Sequence, residues 1–222
     1  MAGSVQPAGS VCQAFVAQAP VDGAAFTVMT SDALRDTLCA SDEVIAAVEE
    51  LQFSLGEGPC LEAFTTRRPV LVSDVQDRRD AGRWPVFAAG TAGLQVGGLF
   101  AFPMQLGAIT VGMCVAYRRR AGPLDGEEVA ALLQAVDVAT LSLLVVRAGE
   151  PDVELADYVF DSYGAGRPLV HQATGMLTVQ LGVSAEEAFS RLRAHAYGNG
   201  RSMDEVAADI VGRRMHLAPE RT

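Results

Sequence analysis

The chain has 222 residues, half of them hydrophobic and a fifth charged, a composition that supports an apolar core and excludes disorder along the whole length. Its net charge of −10 excludes a general polyanion-binding surface and leaves only local basic patches for any nucleic-acid contact. Seventeen acids face ten arginines in residues 1–150, and ten acids face seven arginines in residues 151–222, so neither half is basic; there is no lysine.

The first basic residue is Arg35, too late for an export signal, and a cytoplasmic protein is expected. Cys12, Cys39, Cys60 and Cys114 lie far apart in apolar surroundings. They form none of the close pairs that bind zinc or carry dithiol chemistry, and the reading is of reduced, buried thiols. The uncharged run 84–117 is broken by Pro85, Pro103 and six glycines, which suits strands and a helix rather than a membrane span.

Residues 1–8 read as a flexible tail. A helix follows near 10–19, with Val11, Ala14, Phe15 and Gln18 at helical spacing and Pro20 as its stop. Residues 24–29 and 35–40 read as a hairpin. Ser41 or Asp42 can cap the next helix, whose Val44, Ile45, Val48 and Leu51 make an apolar stripe beside Glu43, Glu49 and Glu50. A turn at Gly56-Glu57-Gly58-Pro59-Cys60 leads into a short helix, then a strand at 69–73 ends in Asp74. Trp84-Pro85 opens another helix, and 98–104 with 108–117 forms a second hairpin, central in the sheet.

In the helix at 125–147, Val129, Leu132, Leu133, Val136, Thr140, Leu143 and Leu144 recur at three and four, while Ala130, Val138, Leu141 and Val145 mark the other side. A helix apolar on both sides needs two partners. One is the sheet; the other is expected to be a second copy, through a parallel seam of Val138, Leu141 and Val145. Gly149-Glu150-Pro151 ends this helix, and 149–164 reads as a linker with a helical stretch at 152–161 and a hinge at its close. Three short helices follow at 168–181, 185–197 and 203–215. Gly182 and Gly198 are placed as stops, and Ser184 and Ser202 as caps with Glu187 and Glu205 three residues on.

No catalytic constellation emerges. Asp74, Glu57 and Glu62 are scattered carboxylates, and His171, His195 and His216 all lie in the C-terminal part, leaving no imidazole for haem or metal ligation in the front part. Cys60, Glu57 and Asp74 are candidate sensor residues: Cys60 as a thiol at a helix start or else a small residue packed at a turn, the two acids with turn and cap roles as the plainer reading. In the three-helix part, Val170, Ala173, Leu177, Phe189, Leu192, Val206 and Ile210 read as core. Arg167, His171, Gln172, Thr174, Arg191, Arg193, Arg201, Arg213 and Arg214 are left outside, a donor set suited to phosphates and to the edges of unpaired bases. That reading requires guanidinium groups not tied up in internal ion pairs.

The order helix, hairpin, Gly-Glu-Gly-Pro-Cys turn, strand ending in Asp74, Trp-Pro helix, two long strands and closing helix resembles a GAF domain over residues 9–148. His171-Gln172-Ala173-Thr174-Gly175-Met176-Leu177, then Ser184-Ala185-Glu186-Glu187-Ala188-Phe189 and Met203-Asp204-Glu205-Val206-Ala207, resemble an ANTAR domain over 165–217, before a tail at 218–222. The resemblance implies an α+β chain: an α/β/α sandwich on an antiparallel sheet, followed by a small all-α three-helix domain. It implies a non-enzymatic, signal-responsive antitermination regulator that binds tandem stem-loops in nascent RNA as a homodimer. An unidentified small molecule would occupy the GAF part, and no cofactor or metal is implied. Thr174 stands where the ANTAR family usually has lysine, so one phosphate contact fewer is expected, and a salt dependence flatter by about one counterion. Two other readings are a ligand-binding dimerisation module whose helical C-terminus binds protein or DNA, and a GAF-type enzyme using Cys60 on an oxidised small molecule.

Overall fold

Apolar runs, most of them buried on both faces, build a five-stranded antiparallel sheet of order β2-β1-β5-β4-β3. Its strands are β1 (Gly23–Met29), β2 (Arg35–Ala40), β3 (Val70–Val72), β4 (Gly98–Leu106) and β5 (Ile109–Arg118). The computed structural model describes residues 7–29, 31, 35–148 and 167–217; the expected linker and hinge, and most of both tails, fall outside them. Two units divide the chain.

In the first unit, one face of the sheet is covered by α2 (Glu43–Leu55), α3 (Pro59–Thr66) and α5 (Pro85–Thr91). Ile45, Val48, Cys60 and Phe87 pack there over Leu99, Met113, Val115 and Tyr117. The other face carries α1 (Pro7–Gln18) and α6 (Gly126–Ala148), with Phe15, Leu132 and Val136 against Phe26, Phe100 and Phe102. The result is the expected α/β/α sandwich. Asp42 is the cap of α2, accepting from the Ile45 N–H at 2.9 Å, and Gly56 ends that helix in the left-handed region. The single turn α4 (Arg78–Ala81), capped by Asp77, is too short for a periodicity to announce.

Four expectations are corrected here. Cys12 and Cys39 are not reduced thiols but a disulfide: the hairpin carries β2 alongside α1, and 27 residues of sequence separation conceal that approach. On α1 the buried side is Cys12 and Phe15, and Ala14 and Gln18 are exposed. Glu49 is not on the polar side of α2 but buried, together with Gln52 and Phe53. On α6, Leu133 is 40% exposed, whereas Leu132, Val136, Ala139, Thr140 and Leu143 face the sheet. Thr140 is accommodated by donating its hydroxyl to the Val136 carbonyl, 2.7 Å away.

The second unit contains α7 (Pro168–Leu181), α8 (Ala185–Gly198) and α9 (Met203–Val211). Val170, Ala173, Leu177, Ala188, Phe189, Leu192, Val206 and Ile210 are buried. Gly182 ends α7 with φ 66°, and Ser202 with Glu205 forms a complete capping box on α9. At α8, Ser184 accepts from the Glu187 N–H, but the Glu187 carboxylate is bonded to Arg191 at 2.8 Å. Gly198 stays helical, and Gly200, at φ 62°, makes the left-handed turn instead. The third helix stops at Val211 rather than 215, because Arg213 enters the left-handed region at φ 55° and the Arg214 and Met215 N–H groups both turn back to the Asp209 carbonyl.

Candidate ligand core and nucleic-acid interface

The α2-covered face of the sheet holds a row of buried polar side chains. Glu49 Oε2 accepts from the Thr27 hydroxyl at 2.8 Å and Oε1 from Gln52 Nε2 at 2.9 Å; Gln52 Oε1 in turn accepts from the Cys60 N–H at 2.8 Å. Thr37, across from Thr27 in the hairpin, lies 3.3 Å from it, hydroxyl to hydroxyl. Next along β2, Arg35 is 3% exposed, its two terminal guanidinium nitrogens have no hydrogen-bond partner among the described residues, and it sits 4.9 Å over the Phe53 ring. Buried polar groups without partners are rare. Sequence reasoning missed this row because charge suggests solvent. The spacing Glu49, Gln52, Phe53, on the face of Ile45 and Val48, was the available signal.

The three expected sensor residues are placed in local structural roles. Glu57 accepts from the Phe87 N–H at 2.7 Å, tying the turn to the start of α5, and Asp74 accepts from the Gln76 N–H, closing the turn after β3. Gly58, at φ 134°, lies so close to Gln52 that a Cβ there would meet its amide at 2.8 Å. Cys60 is fully buried at the second position of α3. The Cys114 thiol is pushed well up by burial, then by Glu49 and Cys60. Tyr117 donates its hydroxyl to Asp42 at 3.1 Å, and burial, followed by that carboxylate, raises the phenol to about 12.

On the opposite face, α1 and α6 flank a groove lined by Val11, Ala14, Gln18, Ala135, Val138 and Ser142. Val138 and Leu141 are 64% and 55% exposed; the Val145 side chain lies outside the described residues.

The donor set of the second unit is only partly as expected. Thr174 is buried and gives its hydroxyl to the Val170 carbonyl at 2.8 Å, so it is withdrawn from the exposed set: helical phase puts it beside Ala173 on the core side. Gln172 is exposed and His171 half-buried, with Nε2 unpartnered among the described residues and the imidazole pKa lowered by burial and then by Arg167. Among the described residues, four arginines do form internal ion pairs. Arg167 meets Asp204 at 3.2 Å, Arg191 meets Glu187 at 2.8 Å, and both Arg201 and Arg214 reach Asp209, at 2.7 and 2.8 Å. Asp209 is held below the usual carboxylate range by its hydrogen bonds with Arg201 and Arg214. Arg193 lies 5.4 Å over the Phe189 ring, and Arg213 is exposed.

Among the described residues no helix is long and apolar enough to cross a membrane, and no group of three or more His, Cys, Asp or Glu could hold a metal ion. Comparison with solved structures gives the fold. The GAF domain region of a membrane protein from Geobacter sulfurreducens is 12% identical, with TM-score 0.50 over 62% of this chain and 90% of that one. A GAF domain/HD domain protein from the same organism is 14% identical, with TM-score 0.49 over 68% and 100%. A sensor histidine kinase domain from Sinorhizobium meliloti is 16% identical, with TM-score 0.49 over 67% and 95%. Comparison with curated proteins returns no match. The family model for the GAF domain matches residues 8–143 and that for the ANTAR domain residues 165–211. With its sandwich matched from α1 into α6 and its three-helix unit matched in turn, the chain belongs to the GAF domain family and carries an ANTAR domain behind it.

Proposed function

We propose that this protein is a signal-responsive regulator whose ANTAR domain binds paired stem-loops in nascent RNA and so promotes transcription antitermination, with the GAF domain as its small-molecule sensor. The observation that carries the reading is the cationic end of α9 within the ANTAR-matched unit. Arg201 and Arg214 share the one Asp209 carboxylate, and Arg213 lies exposed beside them, which leaves that end with an excess of positive charge. The ion pairs do not cancel this, because two guanidinium groups share a single carboxylate and the Arg214 side chain is 62% exposed, where a pair is worth only about 0–1 kcal/mol. Asp204 and Glu187, the partners of Arg167 and Arg191, are about half exposed, at 53% and 50%.

The test is binding to an RNA with two small stem-loops across a salt series. The double variant Arg213→Gln/Arg214→Gln is expected to bind roughly tenfold more weakly, with a slope of log K against log salt shallower by about 1.4, or two single-strand phosphate contacts. Unchanged affinity and slope would remove this end of α9 from the interface. The alternative, a dimerisation module whose helical C-terminus binds DNA or protein, draws on the acidic net charge and on those ion pairs. Equal affinity for duplex DNA, or none for either nucleic acid, favours it.

The same reading makes the chain a homodimer through the exposed side of α6. The wild type is expected to scatter light as a dimer at micromolar concentration and Val138→Asp/Leu141→Asp as a monomer, since two carboxylates cannot be buried unpaired in an apolar seam. A monomeric wild type overturns it.

A further inference from the structure

We propose that Cys12 and Cys39 are a reversible oxidation site, closed by a hydroperoxide and reopened by a thiol, whose state decides how firmly α1 is held to the sheet. The two half-cystines join the first helix to the edge of the sheet. Cys12 lies on the first helix, and Cys39 on β2, the edge strand, which pairs with β1 alone. Cys39 stands opposite Phe26, where the β1–β2 register slips between Phe26 and Thr27. An edge strand at a register slip opens more readily than a central one, so the bond is anchored where local opening can expose sulfur. Besides the disulfide, α1 is attached by the edge-on contact of Phe15 with Phe26 at 5.2 Å, by the Gln13 amide donating to the Ser41 carbonyl at 2.9 Å, and by packing on α6. The other two cysteines are fully buried and offer no competing exposed thiol.

The chemistry balances with one peroxide. The thiolate of Cys39, at 9% exposure against 0% for Cys12, attacks the peroxide oxygen; the O–O bond breaks, leaving a sulfenic acid and a first water. The Cys12 thiol then attacks that sulfur, the S–O bond breaks, and the second water leaves as the disulfide forms. The two sulfurs lose two electrons and hydrogen peroxide gains them. Reopening takes two electrons and two protons from an external dithiol or from two monothiols. The consequence for the fold is local: α1 lines one wall of the groove whose other wall includes Val138 of α6, so releasing α1 loosens one side of an exposed apolar surface. This inference is independent of RNA binding.

The experiment uses the full chain treated with hydrogen peroxide or with reduced glutathione, each followed by alkylation, peptide mass mapping, hydrogen exchange and melting. Reduced glutathione at millimolar concentration is expected to make Cys12 and Cys39 alkylatable, and peroxide to reverse this with a loss of two hydrogens. Opening the bond should speed amide exchange in α1 at least about tenfold and lower the melting temperature of the first unit by about 10 °C, the scale of releasing a loop of this length. Cys12→Ser/Cys39→Ser should resemble the reduced wild type whatever the oxidant. Should that variant fail to fold, the wild-type redox pair carries the same comparison. A bond that survives millimolar glutathione is a permanent staple and overturns the proposal. So does equal α1 protection in the two states, or peroxide that drives either sulfur to sulfinic acid without closing the bond.

Discussion

Phe189→Ala is expected to leave most copies of the C-terminal unit unfolded at 25 °C while the first unit keeps its own transition. Phe189 is 2% exposed and is among the largest fully buried side chains of the chain. Truncating a buried phenylalanine costs about 3–5 kcal/mol, part in lost transfer energy and part in the cavity left behind. A three-helix unit of about fifty residues has a net stability of only a few kcal/mol. The loss therefore matches or exceeds what holds the unit together. Calorimetry or helical circular dichroism on the full chain should show one transition where the wild type shows two, and stem-loop binding should vanish with the second. A loss of less than about 1 kcal/mol would mean that the helices are held by something other than this core.

The second large effect is at Gly112. It lies on β5 opposite Val28, and a Cβ built there would sit 2.2 Å from the Thr27 carbonyl oxygen and 3.1 Å from the Val28 Cα. Both obstacles are backbone of the strand pair at the centre of the sheet, so no side-chain rotation relieves them. Gly112→Ala is expected to cost about 3 kcal/mol or more, which for a chain of this size lowers the urea midpoint by roughly 1.5 M. Gly93→Ala is the matched control: nothing lies within 4 Å of its added Cβ, and its midpoint should stay within about 0.3 M of the wild type. Equal midpoints for the two variants would refute the close approach of β5 to β1.

The sandwich and the three-helix unit were both legible because their signals are local. The hairpin at 98–104 and 108–117, the caps at Asp42 and Ser202, and the stop at Gly182 concern groups within a few residues of each other, and the structure has strands, caps and stop at those places. The candidate site was legible only as a list of residue types. Arg201 and Arg214 are thirteen positions apart, and nothing in their spacing says that both reach Asp209; the left-handed turn at Arg213 arranges that. Thr174 reads as lying outside the apolar stripe of its helix, yet its hydroxyl is absorbed by the Val170 carbonyl one turn back.

Unaided, the sequence determined most of the helices and strands and which family each part resembles, since hydrophobic period and capping are properties of short windows. Tertiary structure alone decided the coverings that hydrophobic period left open or misplaced. Glu49 is buried because Thr27 and Gln52 come to meet its carboxylate, Leu133 is exposed because the sheet lies under Leu132 and Val136, and Cys12 bonds Cys39 because the first hairpin folds back beside α1. Each of these depends on a partner distant in sequence, and a residue's surroundings come from what packs against it rather than from its neighbours along the chain.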